Sequence, residues 1–392
     1  MTRTAARLVP FGTTIFSEMT ALAQQHGAIN LAQGFPDFEG PAAIIAAAQQ
    51  ALVSGANQYA RSLGHLPLVQ AIAAKYRARH GLEFDPLREV VVTCGATEGI
   101  ASALLGLLDP GDEVVIFEPY YDSYPVAVAL AGATPRFCPL RFPEFALDEA
   151  ALAACFTSRT KLLLLNTPHN PTGKVFTRAE LEVIAKLCRE RDVVVVSDEV
   201  YEHLTYDGAT ALPIATLPGM RERTLTLSSA GKTYSLTGWK IGWGVGPAAL
   251  VAAAQAAHQY LTFSVATPLQ AAIAFAIEHF GDAYFAQLQR DYRERRDFLV
   301  GVLREVGFEP AVPQGAYFVL ADFTRRFPPE IHGDDRAVAR LLTERHGVAA
   351  IPPSVFYGRD RDGKRLLRFA FCKRMETLAA AAARLRAMGA AR

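Results

Sequence analysis

From residue 89 onward, short apolar runs alternate with helical segments, and this alternation constrains the fold more than any other feature of the sequence. Alternating strands and helices of this kind form largely parallel sheets that are covered by helices on both faces. The runs that we predict to be strands are 89–93, 113–117, 134–139, 161–166, 193–197, 224–228 and 240–245. The sequence therefore predicts an α/β fold with a mostly parallel, seven-stranded sheet.

The remaining segments predict flanking helices and a smaller α+β unit. Residues 1–40 read as an irregular arm, and helical patterns cover 41–54, 66–79, 99–108, 247–278 and 281–306. After Gly307, strand-like runs (317–321, 366–371) alternate with helix-like ones (335–345, 375–389). Because 392 residues exceed one core of ordinary size, we predict a large domain over 46–280, and a small domain formed by the arm, 1–45, and the C-terminal part, 281–392.

Composition and charge exclude several classes of protein. A formal net charge of +1, with no long block of like charges, argues against nucleic-acid binding. No apolar run is long enough to span a membrane, and the N-terminus lacks the apolar stretch of a signal peptide, so we expect a cytoplasmic protein. The five cysteines form no CxxC pair, which favours free thiols over a disulfide framework or a metal site.

One lysine stands in an unusual setting directly after a predicted strand. Lys232 follows the run 224–228 and is flanked by Ala230, Gly231 and Tyr234, which do little to keep it hydrated. A partly desolvated amine loses its proton more easily and becomes a nucleophile near neutral pH. Taken alone, the residue also reads as an ordinary loop lysine beside a tight turn.

Polar residues follow the predicted strands at the edge where open α/β sheets bind ligands. Asp198 ends a run of four valines, and a buried carboxylate there needs a partner, either a salt bridge or a cationic ring nitrogen. Asn166 ends the preceding predicted strand, 161–166, and Asn170 follows it, where turn formation is an equal alternative. The small residues 93–99 precede a helix whose first N–H groups suit a phosphate, although Thr97 also reads as a simple cap.

Two nucleotide-loop interpretations fit less well. The segment 226–233 matches GxxxxGK[ST] except that Thr226 replaces the first glycine. The glycines 242, 244 and 246 resemble a dinucleotide loop, but Pro247 stands where its third glycine belongs. Close packing of a helix on the sheet explains these glycines better.

Together, in order and at strand ends, these stretches resemble the fold-type-I pyridoxal-phosphate aminotransferases of class I/II over essentially the whole chain. The most specific motifs are NTPHNPTG (166–173), SDEVY (197–201) and SSAGKTYSLTGWK (228–240). The segments PFGTTIFSEM (10–19), NLAQGFPDF (30–38) and QYLTFSV (259–265) look closest to the branch of bacterial methionine aminotransferases and kynurenine/glutamine aminotransferases.

The resemblance implies pyridoxal 5′-phosphate as the cofactor and gives each matching residue a role. Lys232 is implied as the catalytic residue that bonds the cofactor and moves the proton, and Asp198 as the partner of the ring nitrogen. The other implied cofactor-binding residues are Tyr121, Asn170, Tyr201, Ala96, Thr97, Ser229, Lys240 and, from a partner subunit, Tyr59. Many relatives have arginine at the position of Lys240, so the grip on phosphate is expected to be somewhat weaker here.

The implied substrates are an amino acid and a 2-oxo acid. Arg368 would hold the substrate α-carboxylate with its two-pronged guanidinium, assisted by Asn166 and the backbone of Gly34. Phe16 and Phe263 would add apolar walls, with Phe263 reaching a neighbouring site in a homodimer that shares its active sites. A neutral or aromatic donor (methionine, glutamine, phenylalanine, tyrosine or kynurenine) is therefore expected.

Two other functions of the same fold are alternatives to transamination. The same cofactor supports β-elimination, as in a cysteine-S-conjugate β-lyase, because the two reactions diverge only after the Cα proton leaves. A cofactor-sensing transcription regulator would need a DNA-binding domain ahead of the body. About 30 residues precede Leu31 in the sequence, fewer than we expect such a domain to need, so the sequence argues against a regulator.

Overall fold

The computed structural model describes residues 4–358 and 363–389. The strands in this part of the chain are β1 (Ile29–Asn30), β2 (Val90–Cys94), β3 (Glu113–Glu118), β4 (Thr134–Pro139), β5 (Thr160–Asn166), β6 (Val194–Asp198), β7 (Thr224–Ser229), β8 (Ile241–Val245), β9 (Glu309–Pro310), β10 (Phe318–Asp322), β11 (Val348–Ala349) and β12 (Leu366–Ala370). The α-helices are α1 (Ile15–Gln25), α2 (Ala42–Val53), α3 (Leu66–His80), α4 (Gly95–Leu107), α5 (Ser123–Leu130), α6 (Glu149–Cys155), α7 (Arg178–Glu190), α8 (Ala230–Thr233), α9 (Ala248–Leu261), α10 (Thr267–His279), α11 (Asp282–Glu305), α12 (Asp335–His346) and α13 (Met375–Arg386).

Seven strands form the central sheet in the order β2-β8-β7-β6-β5-β3-β4. All pairings are parallel except those of β8, which runs antiparallel to both β2 and β7. The inner strands are apolar on both faces, and separate clusters of buried side chains cover the two sides. The predicted α/β fold with a mostly parallel, seven-stranded sheet is confirmed.

The smaller unit joins the two ends of the chain. Strands β12, β10 and β9 form an antiparallel sheet, and β1 of the arm pairs with β11 in parallel. One cluster of buried side chains runs from α1 and β1 to α11, α12 and α13. The domain boundaries stay a prediction, and their outer ends, residues 1–3 and 390–392, lie outside the described residues.

Two predictions about helices were wrong. The arm contains α1, which the hydroxyl of Thr14 caps by accepting from the Ser17 N–H, and which buries Ile15, Met19 and Ala23 on one face. The pattern over 247–278 is not one helix but α9 and α10. The chain turns between them because Phe263 has a φ of 67°, which a right-handed helix does not allow.

The described residues also limit what else the chain contains. None of the helices described here is long and apolar enough to cross a membrane. No group of three histidine, cysteine or carboxylate side chains in the same residues is arranged to hold a metal ion.

Candidate active site

A cavity of about 190 Å³ opens at the carboxyl ends of β5, β6 and β7. Parallel strands place their carboxyl ends at one edge of a sheet, so the residues that follow them meet there. Nearly all the predicted site residues line this cavity: Phe16, Gly34, Ala96, Thr97, Tyr121, Asn166, Asn170, Asp198, Tyr201, Ser229, Lys232, Lys240 and Arg368.

Lys232 reaches the cavity from the single turn α8, directly after β7. Gly231 before it packs closely on the next loop, because a Cβ there would lie 3.1 Å from the Cα of Thr237. The Lys232 Nζ lies 5.6 Å from the ring centre of Tyr317 and 5.9 Å from that of Tyr201. Burial lowers the pKa of the Lys232 amine to about 8. A substantial fraction of this amine is therefore neutral near physiological pH.

Asp198 lies buried at the end of β6, opposite this amine. Its Oδ2 accepts a hydrogen bond from the hydroxyl of Tyr124 at 2.7 Å, and its Oδ1 accepts from the N–H of Val200 at 3.3 Å. Burial raises the pKa of Asp198, while the bonds from Tyr124 and Val200 oppose that shift. A cation in the cavity beside this carboxylate would stabilise its ionised form.

Two asparagines connect β6 to the other wall of the cavity. The Asn166 amide donates to the backbone oxygen of Asp198 at 2.8 Å, and its side-chain oxygen accepts from the N–H of Asn170 at 2.7 Å. The Asn170 side-chain oxygen in turn accepts from Nη1 of Arg368 at 3.1 Å. This chain of hydrogen bonds fixes the arginine relative to Asp198.

Arg368 is a buried cation, 1% exposed, without a carboxylate partner among the described residues. Its Nη2 donates to the backbone oxygen of Ala32 at 3.0 Å, whereas its buried Nε has no partner in the described structure. The guanidinium carbon lies 4.1 Å from the ring centre of Phe318 and 5.1 Å from that of Phe16. Burial lowers the pKa of Arg368 to about 10, so it stays charged at neutral pH. Such a group binds a carboxylate strongly.

The opposite end of the cavity suits an anion. Helix α4 begins there without a side-chain cap, so its first N–H groups are open to a ligand. Gly95 has a φ of 70°, and a Cβ on it would lie 3.0 Å from the Nζ of Lys240. A Cβ on Gly242 would lie 2.6 Å from the carbonyl carbon of Gly95. The two glycines let α4 and Lys240 approach the same point.

Comparison with known proteins agrees with this geometry. The family model for aminotransferase class I and II matches residues 26–385. The chain belongs to this family. It is an enzyme that transfers an amino group between an amino acid and a 2-oxo acid, and its cofactor is pyridoxal 5′-phosphate.

Its relatives act on different amino donors. A probable N-succinyldiaminopimelate aminotransferase of Mycobacterium tuberculosis is 47% identical over 97% of this chain and 98% of its own length. A solved structure of that Mycobacterium tuberculosis aminotransferase superposes with a TM-score of 0.95, covering 98% of this chain and all of the other. The methionine aminotransferase of Escherichia coli is 43% identical over 97% of this chain and 97% of its own length. A kynurenine–oxoglutarate transaminase of Dictyostelium discoideum is 39% identical over 93% of this chain and 91% of its own length.

The residues of the cavity fit this aminotransferase cofactor. The helix start and Lys240 match its phosphate group, and the buried carboxylate of Asp198 matches a protonated ring nitrogen. The amine of Lys232 lies in the same cavity and is partly neutral, as a group that bonds an aldehyde needs to be.

Two of the predicted residues lie away from this cavity, and the structure adds two residues to it. Tyr59 and Phe263 do not line this cavity. They are 80% and 52% exposed, with their rings 5.1 Å apart, and a role in a partner's site stays a prediction. Tyr124 and Phe318 were missed. Tyr124 lies in the first turn of α5, three residues after Tyr121, a spacing that could have indicated that the two rings lie close together.

Proposed function

We propose that this aminotransferase takes a neutral L-amino acid with an unbranched or aromatic side chain as its donor, and a 2-oxo acid as its acceptor, in a ping-pong reaction. Methionine, glutamine, phenylalanine, tyrosine and kynurenine are the candidate donors. The observation that carries this proposal is the charge of the cavity wall. Among the described residues that line it, Arg368 is the single arginine, and its neighbours are the aromatic residues Phe16 and Phe318.

Each polar group of the cavity then has one task in the proposal. Arg368 binds the α-carboxylate of the substrate with its guanidinium, which has no carboxylate partner among the described residues and whose Nε has no partner there. Lys232 is the base that takes the Cα proton and returns it, which its neutral fraction permits. Bound cofactor supplies the electron sink for this step. Asp198, held by Tyr124, keeps a negative charge at the ring nitrogen.

The remaining residues hold the cofactor or position it. The N–H groups of Ala96 and Thr97, the hydroxyl of Ser229 and the amine of Lys240 bind its phosphate in this proposal, and Tyr121 covers the face of its ring. Tyr201 and Asn170 lie beside Lys232 and Arg368 respectively, where they orient the reacting groups.

Two other reactions set limits on the proposal. The relative that acts on N-succinyldiaminopimelate is 47% identical, so that acidic donor is the main competitor. A second arginine in the cavity wall would favour it, and the described wall has none. The β-lyase alternative gains no support, since the relatives reported above are all named as aminotransferases.

Donor profiling tests the proposal directly. The purified enzyme is given 2-oxoglutarate and, in parallel, methionine, phenylalanine, kynurenine, aspartate and N-succinyldiaminopimelate, and kcat/KM is measured for each. We expect the neutral donors to exceed aspartate by at least tenfold. Aspartate or N-succinyldiaminopimelate in first place would overturn the choice of substrate while leaving transamination intact.

We also propose that the enzyme is a homodimer in which Tyr59 and Phe263 complete the partner's site. Both aromatic side chains are exposed, as a surface that meets a second copy requires. Light scattering should give twice the mass of 42.5 kDa. A monomer with full activity would contradict the proposal.

A further inference from the structure

The end of β6 presents ionisable residues to both faces of the sheet. Asp198 and Tyr201 line the active-site cavity, whereas Glu199 and Glu202 do not. Glu202 contacts Lys75 of α3 and Ser228 of β7, and Glu199 contacts Ser197. We call Lys75, Ser197, Glu199, Glu202 and Ser228 the rear cluster.

The rear cluster is buried, and it contains more carboxyl groups than amines. Lys75 Nζ lies 2.6 Å from Oε1 of Glu202, and the hydroxyl of Ser228 donates to the same oxygen at 2.7 Å. Glu199 accepts from the hydroxyl of Ser197 at 2.8 Å and has no cationic partner at ion-pair distance among the described residues. One amine therefore faces two carboxyl groups.

The contacts assign the charges. Although burial opposes it, Lys75 lowers the pKa of Glu202 to about 2, so Glu202 is the anion. Burial raises the pKa of Glu199 to about 8, so Glu199 is mainly neutral at pH 7. At neutral pH the rear cluster has a net charge close to zero.

Every rear-cluster residue on β6, on β7 and in the turn after β6 adjoins a residue of the active site. Ser197 and Glu199 flank Asp198, Glu202 follows Tyr201, and Ser228 precedes Ser229. Asp198 also contributes to the raised pKa of Glu199. Charges in a buried setting are poorly screened. A change of one elementary charge in the rear cluster therefore changes the electrostatic potential at the active-site cavity on the other face of the sheet.

We propose that the rear cluster positions the active site electrostatically: the balance between Lys75 and the two glutamates keeps the negative charge of Asp198 available to the cofactor. Its residues contact neither substrate nor cofactor and act through Asp198. The inference rests on the aminotransferase activity and on no particular donor.

The surrounding ionisable groups do not supply this balance. Tyr76 and His80 on α3, and His203 after Glu202, are the other titratable groups that face the cluster. Burial raises the pKa of Tyr76 and lowers those of both histidines, so all three are neutral near pH 7. On the cavity side, the acidic and basic side chains are Asp198, Lys232, Lys240 and Arg368.

Three charge variants of the loaded enzyme test the proposal: Lys75→Met, Glu202→Gln and the double variant. The readout is the pH midpoint of the change in absorbance of the bound cofactor. Lys75→Met removes the positive charge of the cluster and should raise the midpoint, whereas Glu202→Gln removes its negative charge and should lower the midpoint. We expect shifts of about one pH unit in each direction.

The double variant and a surface control separate this role from a structural one. Loss of a buried partner destabilises both single variants in the same direction, so melting temperature does not distinguish them. The midpoint does, because its two shifts have opposite signs and the double variant should return near wild type. Glu305→Gln, which breaks a surface pair with Arg386, should leave the midpoint unchanged. Shifts of equal sign, or no shift, would overturn the proposal.

Discussion

The two ends of the active-site cavity are built from different parts of the molecule. The polar end, with Lys232, Asp198 and Lys240, comes from the seven-stranded sheet and the residues that directly follow its strands. The aromatic end, with Phe16 and Arg368, comes from α1 and β12, which belong to the smaller unit at the two ends of the chain.

This difference in origin means that one end of the cavity carries out the reaction, whereas the other end selects the substrate. A sheet with helices packed on both faces holds its strand ends rigidly, which suits groups that need exact mutual geometry. The aromatic end consists of side chains from a helix and a small sheet, so we expect single substitutions to change its shape. Changes to the groups of the polar end should therefore abolish the reaction, whereas changes to the apolar side chains of the aromatic end should alter which substrate is preferred.

The largest effect is expected from Lys232→Ala. Removing this amine from the cavity eliminates both the bond to the cofactor and the proton carrier, so kcat should fall by about ten-thousandfold. Steady-state kinetics, with borohydride reduction followed by mass spectrometry to detect linked cofactor, checks both roles. Exposed Lys186→Ala is the matched control. Turnover within tenfold of wild type would remove Lys232 from the mechanism.

Arg368→Leu should reduce kcat/KM by about a hundredfold to a thousandfold, because a buried two-pronged contact to a carboxylate is lost. Cofactor loading should stay intact, since Arg368 lies at the other end of the cavity. Arg365→Gln is the control, as that arginine is half-exposed and pairs with Asp322 just before the same strand. An equal loss in both variants would point to a folding defect.

Parallel-sheet geometry explains how much of this site could be predicted from the sequence. Apolar runs such as the four valines before Ser197 identify inner strands, and polar residues after them must meet at one edge. Strand order and polarity alone therefore suffice to place Asp198, Asn166 and Lys232 together. The motifs that resemble the aminotransferases added Arg368, whose strand lies in another sheet.

What the sequence could not supply depends on packing between distant segments. The bond from Tyr124 to Asp198 joins residues 74 positions apart, so the spacing of Tyr124 from Tyr121 does not identify Asp198 as its partner. Phe318 faces Arg368 because β10 and β12 pair in one register, which the sequence leaves open. The position of Phe263 depends on the break between α9 and α10, and the ring of Tyr59 packs against it.

Tyr124→Phe tests the support of the polar end. It removes one of two hydrogen bonds to the Asp198 carboxylate, and a bond to a charged group contributes about 1.5–3 kcal/mol. We expect cofactor affinity to fall by about tenfold, measured by titration of the apoprotein. Tyr284→Phe loses a hydrogen bond to the Thr233 carbonyl outside the cavity and should not change affinity. Unchanged affinity in both would leave Tyr124 without a supporting role.

The pH dependence of cofactor loading tests the amine of Lys232. Burial lowers its pKa to about 8, and only the neutral amine attacks an aldehyde. Loading of apoprotein should accelerate up to about tenfold from pH 7 to 8–9 and then level off. An unperturbed lysine, with a pKa near ~10.4, would keep accelerating to about pH 10. Stopped-flow absorbance distinguishes the two profiles, and Lys232→Ala should lack the covalent phase.

The smallest effect is expected from Phe16→Ala at the aromatic end. The Phe16 ring lies 5.1 Å from the Arg368 guanidinium and 6.1 Å from the ring of Phe356, so its loss widens the side of the cavity without removing a charge. The ratio of kcat/KM for phenylalanine to that for methionine should fall by a few-fold, since a single apolar contact discriminates by about 10- to 200-fold at most. Phe11→Ala, in the same arm but outside the cavity wall, is the control. If Phe16→Ala instead lowers turnover of all donors equally, the aromatic end contributes to the chemistry, and the two ends are not separable.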